Sequence, residues 1–186
     1  MEESGSLIEI RGALLVLRPL RPDEIDGEWQ AMVEADPIAI ASPPDEASFR
    51  ARLGRSGRLE GGSLDLAVDL EGACIGRIQT FVPRRRMLPP GVFQVGIGLR
   101  DAVRGRGHGR EALALLTGWL FEHAGAQRVQ APTDPANAAM RAVFDHVGWR
   151  EDGTLAEHGR VWLVYAITRE EWSGRPGKRV AGIEPA

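Results

Sequence analysis

The stretch LRDAVRGRGHGREALALL, residues 99–116, decides how the rest of the chain is read. It packs three glycines, Gly105, Gly107 and Gly109, and four arginines, Arg100, Arg104, Arg106 and Arg110, immediately ahead of a helical pattern. Beyond the loop, Ala112, Leu115, Leu116 and Trp119 recur at helical spacing, with Leu113 and Leu120 beside them, which predicts an amphipathic helix with a core-facing stripe. Ahead of it, VFQVGIGL (residues 92–99) reads as a strand whose interior glycines leave room for close approach by another group. Glycine lets successive backbone N–H groups point at one spot. The first N–H groups of a helix are unpaired and carry partial positive charge. Strand, glycine loop and helix together therefore predict a cradle for a phosphate or diphosphate, with Arg104, Arg106 and Arg110 as added charge.

Two familiar phosphate loops do not fit. A Walker loop ends in Gly-Lys-Ser/Thr, whereas this one runs Gly109-Arg110-Glu111. A dinucleotide fingerprint wants G-x-G-x-x-G in the first strand–helix unit, and this loop has G-x-G-x-G late in the chain.

The chain outside the loop predicts one α/β domain. With 186 residues it suits a single core, and 43% hydrophobic with 26% charged residues is ordinary for a globular protein. Strands are expected at residues 13–20, 63–70, 73–82, 127–133, 148–155 and 160–167. Helices are expected at residues 22–35, 43–55 and 133–148. In the last of these, Asp134 is expected as cap, Pro135 as first residue and Gly148 as terminator. Interleaved strands and helices with hairpins at both ends predict a mixed, mostly antiparallel sheet with helices on both faces. The domain is expected to span residues 7–172, followed by a flexible tail over 173–186.

Composition also narrows function. A net charge of −3 argues against wholesale nucleic-acid binding. The single cysteine, Cys74, excludes an internal disulfide, and four scattered histidines give no ligand spacing, so no metal is expected. Met1 is followed by acidic and small residues rather than a signal peptide, and no stretch reaches the roughly 20 apolar residues of a membrane helix. The expected location is cytoplasmic, with no membrane partner.

The spacing Arg104-x-x-Gly107-x-Gly109 between strand and amphipathic helix resembles motif A of the GNAT N-acetyltransferase superfamily, which reads Q/R-x-x-G-x-G/A. Further along, NAAMRAVFDHVGW (residues 137–149) resembles its motif B. REDGTL (residues 150–155) and LVLRPLRPDEIDGEW (residues 15–29) resemble the branch that acetylates N-termini of ribosomal proteins. The resemblance implies the acyl-CoA N-acyltransferase fold and acetyl-CoA as co-substrate. It implies that the diphosphate lies on the amides of Arg104, Gly105, Arg106, Gly107, His108, Gly109 and Arg110. It further implies that the strand before the loop splays from its neighbour, so that the pantetheine arm pairs with backbone at Ile97, Leu99 and Val103, Gly96 and Gly98 giving it room. Asn137 would bond the arm or serve only in the first helical turn, and Arg141 would meet an adenosine phosphate or be a solvated charge.

Transfer of an acetyl group to an amine needs a proton acceptor. Where the family often has an ionisable group, this chain has Gln94, Met140 and Phe144. Gln94 is a candidate for orienting a water but not for a base, and the remaining candidates for catalysis are Tyr165, Glu157, His158 and Asp69. Residues 22–49 carry eight acidic residues, Asp23, Glu24, Asp26, Glu28, Glu34, Asp36, Asp45 and Glu46, and no Lys or Arg. They read either as a solvated helix face or as an acidic rim that attracts a cationic amine. Arg84, Arg85 and Arg86 read as an exposed basic loop tip. Three functions stay open: an N-acetyltransferase acting on an amine-bearing small molecule or a peptide N-terminus, a CoA-binding sensor or interaction module without useful catalysis, and an unrelated nucleotide-binding domain that takes ATP or NAD. A homodimer is compatible with the sequence and not specified by it.

Overall fold

The computed structural model describes residues 7–34, 45–83, 89–157 and 159–174. Eight strands, β1 (Ile10–Arg11), β2 (Leu15–Arg18), β3 (Leu64–Leu70), β4 (Ala73–Phe81), β5 (Val92–Leu99), β6 (Arg128–Thr133), β7 (Arg150–Glu157) and β8 (Arg160–Thr168), form one sheet in the order β1-β2-β3-β4-β5-β6-β8-β7. Every pairing is antiparallel except β5 with β6. The helices are α1 (Ile25–Glu34), α2 (Glu46–Leu53), α3 (His108–His123), α4 (Ala138–Val147) and α5 (Arg169–Ser173). The mixed sheet with helices on both faces is the architecture the sequence predicts.

Each face has its own core. On one, α3 and α4 bury the expected stripe, Ala112, Leu115, Leu116, Trp119, Phe144 and Val147, against β-strand residues such as Leu66, Ile78, Val95 and Val129. Met140 and Val143 pack on its edge, and Trp172 of α5 joins it beside Phe121. On the other, Ile25, Trp29 and Met32 of α1 and Phe49 and Leu53 of α2 cover Leu20, Ala67 and Cys74. Burying side chains of this size contributes about 1.5–3 kcal/mol each, and that is what holds the helices to the sheet.

Local chemistry moved several boundaries. Residues 22–24 form a 3-10 turn ahead of α1. Asp45, not the preceding prolines, caps α2, accepting the Ser48 amide at 2.9 Å. The helix expected from Asp134 begins at Ala138 instead, capped by Asn137, whose Oδ1 accepts the Met140 amide at 3.0 Å. Asp134 is taken up elsewhere: its carboxylate accepts the Ala136 amide at 2.8 Å and Arg160 at 2.7 Å, which makes Pro135 part of a turn. Gly148 ends α4 as expected, at φ 78°, and pushes the start of β7 to Arg150. The short β1 and α5 have no counterpart in the sequence reading. Arg84, Arg85, Arg86, Asp36, His158 and residues 175–186 of the tail lie outside the described residues.

Candidate active site

The two edges of β5 are treated differently. Toward β4 the pairing runs from Gln94 opposite Phe81 to Leu99 opposite Gly76. Toward β6 it covers Val92, Phe93 and Gln94 only. Beyond Gln94 the strands part, although β6 continues beside β8 to Thr133. Residues 95–99 thus present an open backbone edge inside the sheet, a place for an extended chain to pair. The side chains of Ile97, Leu99 and Val103 pack against the main core, and the Val103 amide is taken by the Arg100 carbonyl at 3.1 Å.

Strand register fixes which side chains flank the fork. Residues opposite one another share a face, so Gln94 with Phe81, Gly96 with Gln79 and Gly98 with Arg77 form three rows on the face covered by α1 and α2. Nothing lies within 4 Å of where a Cβ on Gly98 would sit. A Cβ on Gly96 would lie 3.1 Å from Gln79 Nε2, so the Gln94–Gly96–Gly98 line is a trough whose backbone floor is open at Gly98 and roofed by the Gln79 amide at Gly96. The Gln94 side chain stands at its head with no hydrogen-bond partner among the described residues.

The trough leads to the glycine loop. Gly105 and Gly107 adopt φ 75° and 90°, values that glycine alone reaches without strain, and space is open around both. Gly107 takes the cap position of α3 and offers no side chain to cap with. Among the described residues, the amides of residues 105–109 have no acceptor; the first bonded ones are Arg110 and Glu111, both to the Gly107 carbonyl. Glu111 anchors this helix start from behind, accepting the amides of Leu14 at 2.8 Å and Leu15 at 3.1 Å.

The arginines divide into two groups. Arg104 is folded back, donating to the Leu99 carbonyl at 2.9 Å and pairing with Asp101 at 2.7 Å. Arg106 and Arg110 are exposed and have no ion-pair partner among the described residues. His108 is buried with its Nδ1 unpartnered. Arg141 reaches the Tyr165 hydroxyl and the Pro135 carbonyl, each at 3.4 Å.

The structure also sorts the candidate proton acceptors. Tyr165 is one residue out of register with the Gln94–Gln130–Ala166 row and so faces away from the trough. It is stacked on Phe144 at 4.8 Å between ring centres. Phe144 in turn stacks on Trp149, an all-core arrangement. Asp69 is structural: it accepts Arg18 Nε at 2.7 Å and the Gly72 amide at 2.7 Å, closing the β3–β4 hairpin. Glu157 ends β7, opposite Arg160, at the far edge of the sheet. None of these three meets Gln94 at the fork.

The acidic segment is largely neutralised. Glu24 takes Arg18 at 2.6 and 2.8 Å, which holds its carboxyl below the usual range. Asp26 and Glu46 share Arg50. Asp45 is spent on its cap. Glu28 is buried, and burial pushes its carboxyl up despite Arg77 and Arg100 nearby. Sequence reading missed those partners because every one of the arginines lies outside residues 22–49. Beneath α2, Asp65 binds Arg77 at 2.6 Å and Arg52 at 3.1 Å, with Gln79 accepting Arg52 at 2.9 Å. Both guanidiniums lie 5.4 Å from the Phe49 ring centre.

A strand that leaves its parallel neighbour, followed by a helix start without internal acceptors, is the arrangement that the resemblance to the N-acetyltransferases implies. The model of the acetyltransferase (GNAT) domain matches residues 15–150, and the chain belongs to that family of acetyl-CoA-dependent acyltransferases. Solved structures agree on the fold. Mycobacterium smegmatis RimJ in complex with CoA-disulfide superposes with a TM-score of 0.71 at 24% identity, covering 89% of this chain and 88% of that one. A GNAT-family acetyltransferase from Bacillus anthracis gives 0.70 at 18% identity, covering 88% and 100%. The aminoglycoside acetyltransferase AAC(6')-Ib in complex with ribostamycin and coenzyme A gives 0.73 at 17%, covering 88% and 98%. A comparison with curated proteins finds no match.

Proposed function

We propose that the protein moves an acetyl group from acetyl-CoA to a primary amine, by direct attack with both substrates bound. The single observation that carries this reading is the run of acceptor-less amides at residues 105–109, continuous with the open edge of β5. A diphosphate supplies the acceptors those amides lack, and Arg106 and Arg110 add charge that no carboxylate among the described residues has claimed. The arm of the cofactor pairs with backbone at Ile97, Leu99 and Val103, placing the thioester over the Gln94–Gly96–Gly98 trough. Backbone N–H groups there polarise its carbonyl. The cofactor supplies the activated acyl group; the chain supplies position, a dry floor and the proton path.

The acceptor approaches from the α1–α2 side, since the opposite face is filled by α3 and α4. RimJ among the structural neighbours and the REDGTL segment favour the ribosomal-protein branch, hence a protein N-terminus; a small cationic amine is the other acceptor of the same chemistry. One observation favours a second reading, a CoA-binding module with little catalysis: Phe144 and Met140 sit where the family often has an ionisable group, and Phe144 is locked in a stack.

Thiol release from acetyl-CoA, measured over a panel of spermidine, kanamycin A and short peptides with free N-termini, separates the two. Turnover with at least one acceptor is expected. Tight CoA binding with no turnover on any of them would leave the module reading standing alone.

A further inference from the structure

Three carboxylates are buried among the described residues, and two of them are fully satisfied. Asp69 and Asp65 each take a guanidinium nitrogen at normal hydrogen-bond distance, 2.7 and 2.6 Å. Glu28 differs. Among the described residues its two ion-pair partners, Arg77 Nε and Arg100 Nη2, both stop at 3.8 Å, and its remaining contact is the Cys74 thiol, also at 3.8 Å. Arg77 Nε is itself buried with no hydrogen-bond partner among the described residues. A buried carboxylate held at arm's length from two guanidiniums keeps lone pairs free, at a cost in stability that closer pairing would remove.

Its place gives that looseness a use. Glu28 projects from α1 onto the face that carries the trough. Arg77 is the cross-strand partner of Gly98, whose Cβ position is open. Arg100 follows one residue after the end of β5 and closes the other side. The carboxylate therefore stands one strand away from the trough floor, bracketed by the two arginines.

We infer that Glu28 is the catalytic base that takes the proton from the attacking amine. This rests on the acetyl-transfer reading. An incoming ammonium gives one proton to the Glu28 carboxylate, and the freed nitrogen bonds to the thioester carbonyl carbon. The C–S bond breaks, the second proton leaves nitrogen for the departing thiolate, and Glu28 returns its own proton to water. The groups facing Glu28 are Arg77 and Cys74 from β4, Arg100 beyond β5, and Glu24 from the preceding turn. Burial outweighs the two arginines and raises the carboxyl above its ordinary value, which makes it a stronger base than a solvated carboxylate. A fully paired carboxylate such as Glu24, held low by Arg18, would be a far weaker base.

The test compares wild type, Glu28→Gln and Glu28→Asp in the thiol-release assay with the same acceptor panel between pH 5.5 and 10 (assay range, about). Glu28→Gln should lower kcat about 10²- to 10⁴-fold near neutral pH and lose the acidic limb of the profile. Its rate should recover toward high pH, as the amine sheds its own proton, while the KM for acetyl-CoA and the thermal shift given by coenzyme A stay at wild-type values. Glu28→Asp, which keeps the charge but shortens the reach, should fall between. A Gln variant within about threefold of wild-type kcat with the limb intact, or one altered in acceptor KM alone, overturns the assignment. If the Gln variant fails to fold, the Asp variant decides: folded and unchanged in kcat, it overturns the assignment too. A wild-type protein that turns over no amine overturns the acetyl-transfer reading first, and the role of Glu28 with it.

Discussion

Four helices of this protein begin in two different ways. α2, α4 and α5 are closed by their own side chains: Asp45 accepts the Ser48 amide, Asn137 the Met140 amide, and Thr168 the Glu171 amide, with Glu171 reaching back to the Thr168 amide at 2.7 Å. α3, with 16 residues the longest, begins on a left-handed glycine with no cap at all. A capping side chain contributes about 1 kcal/mol, so the exception is a stability sacrificed at one position and kept at three. The difference teaches where the acceptors come from: at α2, α4 and α5 they belong to the chain, and at α3 the proposed function has a ligand bring them.

The largest effect should come from filling the bare start. Gly107→Val forces a β-branched residue into φ 90° and puts a side chain where the anion belongs. Losing two charge-assisted bonds at about 1.5–3 kcal/mol each predicts a fall in coenzyme A affinity of at least about 100-fold by calorimetry. Gly109→Ala is the contrasting variant. Its φ is ordinary and its new methyl would meet Leu99 and Val143 at 3.7 Å, a normal contact, so affinity should hold within a few-fold; an equal loss in both variants would break the distinction.

Next in size is Asn137→Asp, which keeps the acceptor that caps α4 and removes the amide donor. If that donor holds the cofactor arm, coenzyme A affinity drops about tenfold while the melting temperature stays put. Affinity and melting temperature both unchanged would make Asn137 a cap and nothing more. Asp45→Ala removes the cap of α2, on the other face of the sheet from α3, and should lower the melting temperature without touching coenzyme A binding.

The smallest effect concerns α5. Arg150 and the Thr168 amide hold the Glu171 carboxyl at about 2. Because its folded value lies below its unfolded one, its contribution is present above the unfolded value near about 4.3 and is lost as pH falls toward about 2. The group is mostly exposed, so Glu171→Gln should remove only a few tenths of a kcal/mol from thermal stability at neutral pH. An effect of several times that size would mean α5 does more than cap itself.

What the sequence made legible was whatever local rules decide. The stripe on α3, the glycine loop and the strand before it depend on neighbours three or four residues away, and they stand where expected. The fork between β5 and β6 is not a local property; it followed from the family resemblance, since nothing in VFQVGIGL says where pairing with a strand some thirty residues later stops. The start of α4 was misplaced because Asp134, Pro135 and Asn137 all suit a helix start, and the distant Arg160 settles the choice by claiming Asp134. The acidic run around α1 left two readings open for the same reason. Its partners, Arg18, Arg50, Arg77 and Arg100, come from four other places in the chain, and they pair Asp26 and Glu46 at the surface and Glu24 beneath it, with Glu28 held more loosely.

The most direct test of the central claim is a coenzyme A titration followed through backbone amide NMR signals, with the two kinds of helix start read in one sample. The account predicts that the amides of residues 105–109 shift and saturate at one equivalent of ligand, while those of Ser48 and Glu171, already bonded to their own caps, remain still. Saturable binding that leaves residues 105–109 unmoved would contradict it.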